Sequence, residues 1–399
     1  MFAASAVSNL GDGIVYVCGP LLAASLTRDP LLVAFTMFSR SVPWLLFGLL
    51  SGALVDRLDR RRVMGLADGS RASIIGTLGL AVLFDTASLP LLYASFFLLG
   101  LSETFFDNAS QTALPGVVTR ENLEKANGRL ESARIVSQDL AGPSLGGFLF
   151  GVAAAIPFLL NAGAFAAAAA LVLAMRGGFR AKHPDFRAGE VDSESGGTSV
   201  LTEVRDGILW LARRRFLLTL AAITAVLGLV DEAVFAVFVL YAQEILGLRD
   251  FGYGLLLAVG AAGGIFGGFT ADTLVQRVGS ARAIFLSLLL GTLSYAGIAL
   301  TGSVALVAAM LVVNGLHLVL WNVTTLSLRQ SEVSGELLGR VNGTYHFLAM
   351  VGLTSGTLFG GVVASAFGLV APFWFATASL AILSFVALAG ARDSYRPTA

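Results

Sequence analysis

The sequence is short of charged residues and has no excess of either sign. Only 13% of its 399 residues are charged, and acidic and basic residues balance at 26 each. A typical soluble domain carries roughly 25% charged residues, so this chain cannot cover a water-soluble surface. The shortage excludes a soluble enzyme, a disordered chain and a protein that binds nucleic acid through a basic face.

Cysteine and lysine are almost absent. The single cysteine, Cys18, excludes a disulfide framework and any metal site built from several cysteines. The only lysines, Lys125 and Lys182, neither follow a glycine nor precede Ser or Thr, so the chain has no Walker A phosphate loop. Because no nucleophile–base set is found either, we predict no enzyme activity, no cofactor and no metal site.

Apolar residues make up 56% of the chain and gather in long runs. A membrane helix needs about 20 mostly apolar residues, and in hydrocarbon each helix satisfies its own backbone hydrogen bonds. The sequence therefore predicts an all-α polytopic membrane protein. The predicted spans are twelve, at about 1–26, 31–55, 62–84, 88–114, 128–150, 154–176, 216–246, 251–275, 281–302, 304–328, 337–366 and 370–391.

Basic residues predict the orientation of the chain in the membrane. Clusters of Arg and Lys follow the second, fourth and sixth spans, whereas connections on the other side offer only Arg28 and Arg249. Loops rich in basic residues stay in the cytoplasm. We therefore expect a multi-pass protein of the cytoplasmic (plasma) membrane with both termini and the long middle segment in the cytoplasm.

The two sets of six spans resemble each other. A shift of 215 residues superposes Asn127-Gly128 on Asn342-Gly343 and Gly146 on Gly361. Duplicated halves of this kind enclose a central site that faces either side of the membrane alternately. The predicted divisions are an N-terminal six-helix half (1–176), a cytoplasmic linker with an amphipathic surface helix (177–215), a C-terminal six-helix half (216–391) and a cytoplasmic tail (392–399).

The loop between the second and third spans carries a family likeness. Residues 52–64, GALVDRLDRRRVM, resemble the loop signature of the major facilitator superfamily, Gly-x-Leu-x-Asp-Arg-x-Gly-Arg-Arg, with Asp59 in place of its second glycine. LGDG at 10–13 and ADGSRA at 67–72 are similar to the branch that contains macrolide efflux proteins and the enterobactin exporter. The resemblance implies two pseudo-symmetric six-helix halves. The residues of the loop that match are Gly52, Leu54, Asp56, Arg57, Arg60 and Arg61.

The resemblance also implies that this loop is a cytoplasmic gate. Asp56 is expected to cap a neighbouring helix N terminus, where about half a positive charge sits. The arginines are expected to pair with carboxylates at other helix ends, which would favour the state closed to the cytoplasm. The alternative is a plain basic anchor.

A second motif, AGPSLGG at 141–147, lies in the fifth predicted span. It resembles the Gly-Pro-x-x-Gly-Gly element of superfamily antiporters that export, through Gly142, Pro143, Gly146 and Gly147, although Gln138 stands where that element begins with glycine. Proline bends a helix, and glycines let another helix approach closely. Ordinary helix packing is the alternative.

Ionisable residues at membrane depth are the candidate functional residues, because they are costly there and normally face a cavity or a partner. Most fall in the first, fourth, seventh and tenth spans, which line the central cavity in the resembled fold. Structural ion pairing is the alternative for Asp107, and a packing role for His317. Phe105, Phe235 and Phe238 are candidates to stack on an apolar substrate. The predicted cavity residues are Asp12, Arg40, Glu103, Asp107, Arg134, Asp231, Glu232, His317 and Trp321.

These features predict a secondary active exporter of a small amphiphilic compound, which is drug-like, macrolide-like or siderophore-like. Export is expected by proton antiport and alternating access, with protonation of Asp12 or Glu103 removing buried charge. The predicted partners are a small-molecule substrate, protons and the lipid bilayer, and the protein is predicted to be a monomer. The alternatives are a lysophospholipid flippase, a nutrient importer, and a receptor or structural protein without transport.

Overall fold

The computed structural model describes residues 2–55, 58–117, 134–174, 214–333 and 335–393, and every element in these ranges is a helix. Two of the helices contain a π-helical segment, which is Ile135–Ala141 in α5 and Tyr241–Ile245 in α7. The helices are α1 (Phe2–Leu26), α2 (Pro30–Val55), α3 (Arg60–Leu83), α4 (Leu89–Val117), α5 (Ile135–Ala141 and Gly142–Val152), α6 (Ala155–Ala174), α7 (Arg215–Leu240 and Tyr241–Ile245), α8 (Asp250–Val278), α9 (Ser280–Leu300), α10 (Val304–Glu332), α11 (Gly335–Phe367) and α12 (Ala371–Asp393).

The helices follow the predicted spans closely. Within the described ranges, eleven helices are long and apolar enough to cross a membrane. The remaining one, α5, corresponds to the predicted span 128–150, whose first residues lie outside the described ranges. The predicted linker with its surface helix, up to residue 213, also lies outside them, as do Asp56 and Arg57 of the predicted gate loop.

The same pattern of helix contacts occurs twice. In the first half, α1 packs against α5 and α6, α2 against α4, and α3 against α4 and α6. In the second half, α7 packs against α11 and α12, α8 against α10, and α9 against α10 and α12. The most extensive contacts between the halves are those of α2 with α11 and of α5 with α8. These two contacts are equivalent when each helix of one half is replaced by its counterpart in the other half. The molecule therefore consists of two pseudo-symmetric six-helix halves.

Apolar side chains fill the interior of each half and also cover its outside. Phe96 and Phe158 are fully buried in the first half, as Phe373 is in the second. In contrast, Phe269 is 82% exposed and Leu300 is 74% exposed. An outer surface of this kind is stable only in an apolar solvent, which the hydrocarbon core of a bilayer provides.

The two ends of the bundle differ in charge. We call the end at which residues 58 and 59 join α2 to α3 the basic end, because Arg60, Arg61 and Arg62 begin α3 there, and we call the other end the opposite end. Asp59 is the N-cap of α3 and accepts hydrogen bonds from the backbone N–H groups of Arg61 (3.0 Å) and Arg62 (3.2 Å). The residue that departs from the loop signature thus caps the helix that follows it.

Replacing Asp59 by alanine is expected to lower the stability of the protein by about 1 kcal/mol, the typical value of an N-cap. The thermal unfolding temperature of the purified protein in detergent measures the effect. Asp59→Asn is the matched control, because asparagine caps a helix as well as aspartate does. Equal losses in both variants would show that the carboxylate charge, rather than the cap, stabilises this loop.

Candidate functional site

A cavity of about 670 Å³ lies between the halves. Its walls come from α1, α2, α4 and α5 of the first half and from α7, α8 and α11 of the second. Its size is in the range of about 300–1,000 Å³ that is typical of small-molecule sites. The lining residues are Tyr16, Met37, Arg40, Ser41, Trp44, Glu103, Asp107, Arg134, Gln138, Pro143, Glu232, Phe235, Leu257, Ala261, His346, Met350, Leu353 and Thr357.

Arg40 of α2 and Glu103 of α4 form a two-pronged ion pair on the cavity wall. The Nε and Nη2 atoms of Arg40 donate to the two carboxylate oxygens of Glu103, each at 3.0 Å. The ring of Tyr16 lies 5.7 Å from the guanidinium carbon. Two parallel charge-assisted hydrogen bonds fix the orientation of both side chains as well as their separation.

Behind this pair, the charges continue into the interior of the first half. Asp12 lies 4.0 Å from Nη2 of Arg40 on one side and 3.7 Å from Nη1 of Arg71 on the other. Arg71 then contacts Asp68 at 3.4 Å. We call Glu103, Arg40, Asp12, Arg71 and Asp68 the ion chain. Its signs alternate, and only its first two members line the large cavity.

The inner end of the ion chain is sealed from the cavity. The side chains of Arg71 and Asp68 are 1% and 0% exposed. Ser8 of α1 donates to Asp68 at 3.3 Å, and the Arg71 guanidinium lies over the ring of Phe106 at 4.8 Å. Each charge therefore has a partner of opposite sign and a further polar or aromatic contact, as buried charges require.

Asp68 and Arg71 were not among the predicted site residues. ADGSRA at 67–72 had served only as a family likeness, and most of the predicted residues lie in the first, fourth, seventh and tenth spans. The signal was nevertheless present, because opposite charges three residues apart inside a membrane span lie on one helix face and are costly without partners. Trp44 and His346, whose rings approach edge to face at 6.2 Å across the two halves, were missed as well.

Four more of the predicted residues also line the cavity. Asp107 and Arg134 come from the first half and Glu232 and Phe235 from the second. Phe235 stacks on Tyr16 with ring centres 4.6 Å apart, which links α7 to α1. Of the other two phenylalanines, Phe238 is buried against aromatic rings of its own half, and Phe105 packs against a separate apolar cluster.

The structure places Asp231, His317 and Trp321 away from the cavity, in contrast to the prediction. Asp231 accepts a hydrogen bond from the hydroxyl of Tyr295 on α9. His317 is fully buried beside Ser287 of α9, whose Oγ lies 3.0 Å from its Nδ1. Trp321 is 3% exposed. The reason is the orientation of α7 and α10 about their own axes, which turns these three side chains toward the interior of the second half and away from the cavity.

The motif at 141–147 is at a junction of three helices. A Cβ atom on Gly142 would lie 2.7 Å from the Cα atom of Gly13 on α1. A Cβ atom on Gly147 would lie 2.7 Å from the carbonyl oxygen of Asp250 on α8, in the other half. Gly146 faces α1, where its carbonyl accepts from the thiol of Cys18 at 3.5 Å. Pro143 follows the π-helical segment and lines the cavity. The motif therefore packs α5 against both α1 and α8.

At the opposite end, polar side chains also join the halves. Arg28, between α1 and α2, donates to Oε1 of Gln243 at 2.6 Å and lies 3.9 Å from the carboxylate of Glu244. Gln243 in turn donates to Asp250 at 3.2 Å.

The predicted gate loop lies at the basic end. Arg60 and Arg61 of this loop begin α3, and a Cβ atom on Gly52 would meet no atom within 4 Å. These positions do not test whether the loop is a gate.

The family model of the Major Facilitator Superfamily matches residues 1–352. The chain belongs to this superfamily. This chain is 25% identical over 418 aligned positions to the uncharacterized MFS-type transporter YfiS of Bacillus subtilis. The alignment covers 98% of this chain and 92% of that protein. The chain is 30% identical over 174 positions to the enterobactin exporter EntS of Salmonella choleraesuis, which covers 40% of each chain.

Solved structures of transporters have the same fold as this superfamily member. A bacterial homolog of the human lysosomal transporter Spinster superposes with a TM-score of 0.74 at 14% identity, over 98% of this chain and 95% of that one. A bacterial homologue of the iron transporter ferroportin gives 0.73 at 17% identity, over 97% and 96%. The chain is therefore a multi-pass membrane transporter of the major facilitator fold, a family whose members are not enzymes.

Proposed function

We propose that this transporter exports small amphiphilic compounds across the cytoplasmic membrane by alternating access, in exchange for protons. The observation that carries the proposal is the cavity between the halves, into which the ion chain presents Arg40 and Glu103. The cavity supplies room for a substrate, and the ion chain supplies carboxylates at membrane depth. The basic end is proposed to face the cytoplasm, as loops rich in arginine do.

The cavity wall suits an amphiphilic compound. Charged groups such as Glu103 share it with apolar side chains such as Met37, Leu257 and Phe235. A purely polar solute would leave the apolar part of this wall in contact with water. An amphiphile covers both parts of the wall.

Proton exchange is proposed to act through the pair of Arg40 and Glu103. A proton on Glu103 neutralises its charge and weakens both of its charge-assisted hydrogen bonds. Arg40 then has Asp12, now 4.0 Å away, as its remaining acidic neighbour in the ion chain. Proton binding therefore moves a buried positive charge away from the cavity, which changes the wall that the substrate contacts.

Alternating access requires that contacts between the halves at one end break while others form. At the opposite end the halves are joined through Arg28 with Gln243, Gly147 with Asp250, and Gly361 with Leu31. Nearer the centre, Tyr16 stacks on Phe235. In the proposed cycle, substrate enters from the basic end, and these contacts separate to release it. The two seams, α2–α11 and α5–α8, are the places where the halves move.

Uptake into inverted membrane vesicles tests the proposal. A panel of labelled amphiphiles, with cationic, neutral and anionic members, is offered at the outer face, which corresponds to the cytoplasm. We expect uptake of at least one member, its collapse on adding a protonophore, and its loss in the Asp12→Asn, Glu103→Gln double variant. Glu332→Gln, an exposed carboxylate at the basic end, is the matched control.

Three results would contradict the proposal. Absence of uptake for every compound would reject export, and uptake that ignores the protonophore would reject proton exchange. Unchanged, protonophore-sensitive uptake by the double variant would reject the role of these carboxylates. Movement of a labelled lysophospholipid without a proton gradient would support the flippase instead.

A further inference from the structure

We infer that the transported compounds are amphiphilic organic cations, bound between Asp107 of the first half and Glu232 of the second. The inference rests on the proposed function and narrows its substrate class. It depends on which charges in the cavity wall already have partners and which do not. Asp107 and Glu232 both line the cavity, and both are half-buried.

The positive groups on the cavity wall are already engaged. The Arg40 guanidinium gives two hydrogen bonds to Glu103 and has Asp12 as a further neighbour. Arg134, the other arginine on the wall, has an interaction partner as well. The remaining nitrogen of Arg40, Nη1, has no hydrogen-bond partner among the described residues but is buried, so an anionic substrate in the cavity would have to rearrange the pair of Arg40 and Glu103 to reach it.

The two carboxylates are not engaged in this way. Within the described ranges, neither Asp107 nor Glu232 forms a hydrogen bond or an ion pair. Asp231, next to Glu232, differs because it accepts from Tyr295. A carboxylate at membrane depth needs a partner, because an uncompensated buried charge is costly. A cation in the cavity supplies that partner, and an anion would raise the cost.

The balance of charge points the same way. Among the described residues of the cavity wall, three are acidic (Glu103, Asp107 and Glu232) and two are arginines. The inner part of the ion chain adds two acidic residues and one arginine. With every one of these described groups ionised, they carry an excess of negative charge, which attracts cations into a cavity with low-dielectric walls.

The rest of the cavity wall fits the apolar body of such a compound. Tyr16 and Phe235 form a stacked pair, and Trp44 lies on the same wall. The faces of aromatic rings attract organic cations. Met37 and Met350 add flexible side chains that adapt to different shapes.

Binding between the two halves also gives the substrate cation a role in the cycle. Asp107 and Glu232 belong to different halves, so a cation that pairs with both carboxylates links the two halves across the cavity. A proton on either carboxylate neutralises the charge that would pair with the cation. Substrate and protons therefore compete at these two groups, in addition to the proton exchange proposed for the pair of Arg40 and Glu103.

Equilibrium dialysis with two probes of the same shape and opposite charge tests the inference. Tetraphenylphosphonium and tetraphenylborate each carry four phenyl rings, and neither gains or loses a proton near neutral pH. The full-length protein in nanodiscs is expected to bind the phosphonium saturably and the borate at least tenfold more weakly. Asp107→Asn and Glu232→Gln should each weaken binding of the phosphonium at least tenfold. Asp272→Asn and Glu332→Gln, which alter exposed carboxylates, should leave it unchanged.

Saturable binding of the borate as tight as that of the phosphonium would overturn the inference, as would phosphonium binding that ignores both cavity variants. Because the two probes are compared on the unmodified protein, the test holds even when a variant does not fold. The vesicle panel separates this failure from that of the proposed function. Proton-driven uptake restricted to neutral or anionic compounds would reject the cation class alone, whereas no uptake of any compound would reject export.

Discussion

Replacing Arg40 by alanine is expected to abolish uptake into inverted vesicles and to lower the thermal stability of the protein markedly. The change removes two hydrogen bonds from Glu103 and one of the two cationic neighbours of Asp12. Breaking a buried ion pair by removing one partner typically costs roughly 3–5 kcal/mol, because the other charge is left uncompensated. The unfolding temperature and the initial rate of uptake measure the two effects.

Two further variants separate charge from geometry at Arg40. Arg40→Lys keeps the charge but cannot form two parallel hydrogen bonds, so it should recover stability partly and uptake only weakly. The Arg40→Gln, Glu103→Gln double variant removes both charges and should regain much of the stability lost in Arg40→Ala, while remaining inactive. A double variant as unstable as Arg40→Ala would show that packing, rather than the unpaired carboxylate, accounts for the loss.

Replacing Gly147 by valine is expected to stop transport while leaving each half folded. A Cβ atom at this position would lie 2.7 Å from the backbone oxygen of Asp250, so α5 and α8 must separate to admit the side chain. Overpacking of this kind costs about 1–3 kcal/mol. Since the contact joins the halves at the opposite end, that cost falls on one state of the transporter and shifts its equilibrium by roughly 5- to 150-fold.

The distance between spin labels on Ser88 and Ser303, two exposed residues at the opposite end, measures this shift. It should lengthen in Gly147→Val, and uptake should fall at least as far as the shift predicts. Gly151→Val is the matched control, since it lies one turn further along α5 and its Cβ atom would have its nearest neighbour only at 4.0 Å. An unchanged distance together with normal uptake would mean that this seam does not open during transport.

The fold was largely predictable from the sequence, because membrane helices are set by the length of apolar runs. The predicted spans differ from the observed helices by only a few residues in most cases, for example 304–328 against Val304–Glu332. The duplicated halves were predictable from the repeat at a shift of 215 residues. Tertiary packing decides which helices form the seams between the halves. A single sequence does not show which helices pack against each other.

The first half of the candidate site could be predicted better than the second. Asp12, Arg40 and Glu103 meet because each is costly in lipid, and opposite charges satisfy one another. In the second half, the rotation of each helix decides the outcome. Asp231 and Glu232 are adjacent and about 100° apart around α7, so one of them turns to Tyr295 while the other faces the cavity. A periodic apolar run does not show which one.

His317 shows the same limit at a packing contact. Its ring lies against Gly291 of α9, where a Cβ atom would come 2.9 Å from Nε2. A glycine such as Gly291 leaves space for a side chain of a neighbouring helix. That space cannot be predicted from the sequence until it is known which two helices are in contact. From its position in the middle of a membrane span, His317 was predicted to face a cavity. In the structure its ring instead fills a gap in the packing between α9 and α10 of the second half.

The position of the ion chain has a consequence for the way salt acts on the cycle. All five of its residues belong to the first half, so the rocking of one half against the other does not by itself separate its ion pairs. The contacts that must break during rocking are therefore those of the two seams and the polar contacts of Arg28 at the exposed opposite end. Salt screens an exposed ion pair far more than a buried one, so ionic strength is expected to act on the cycle through Arg28 and Glu244 and not through the ion chain.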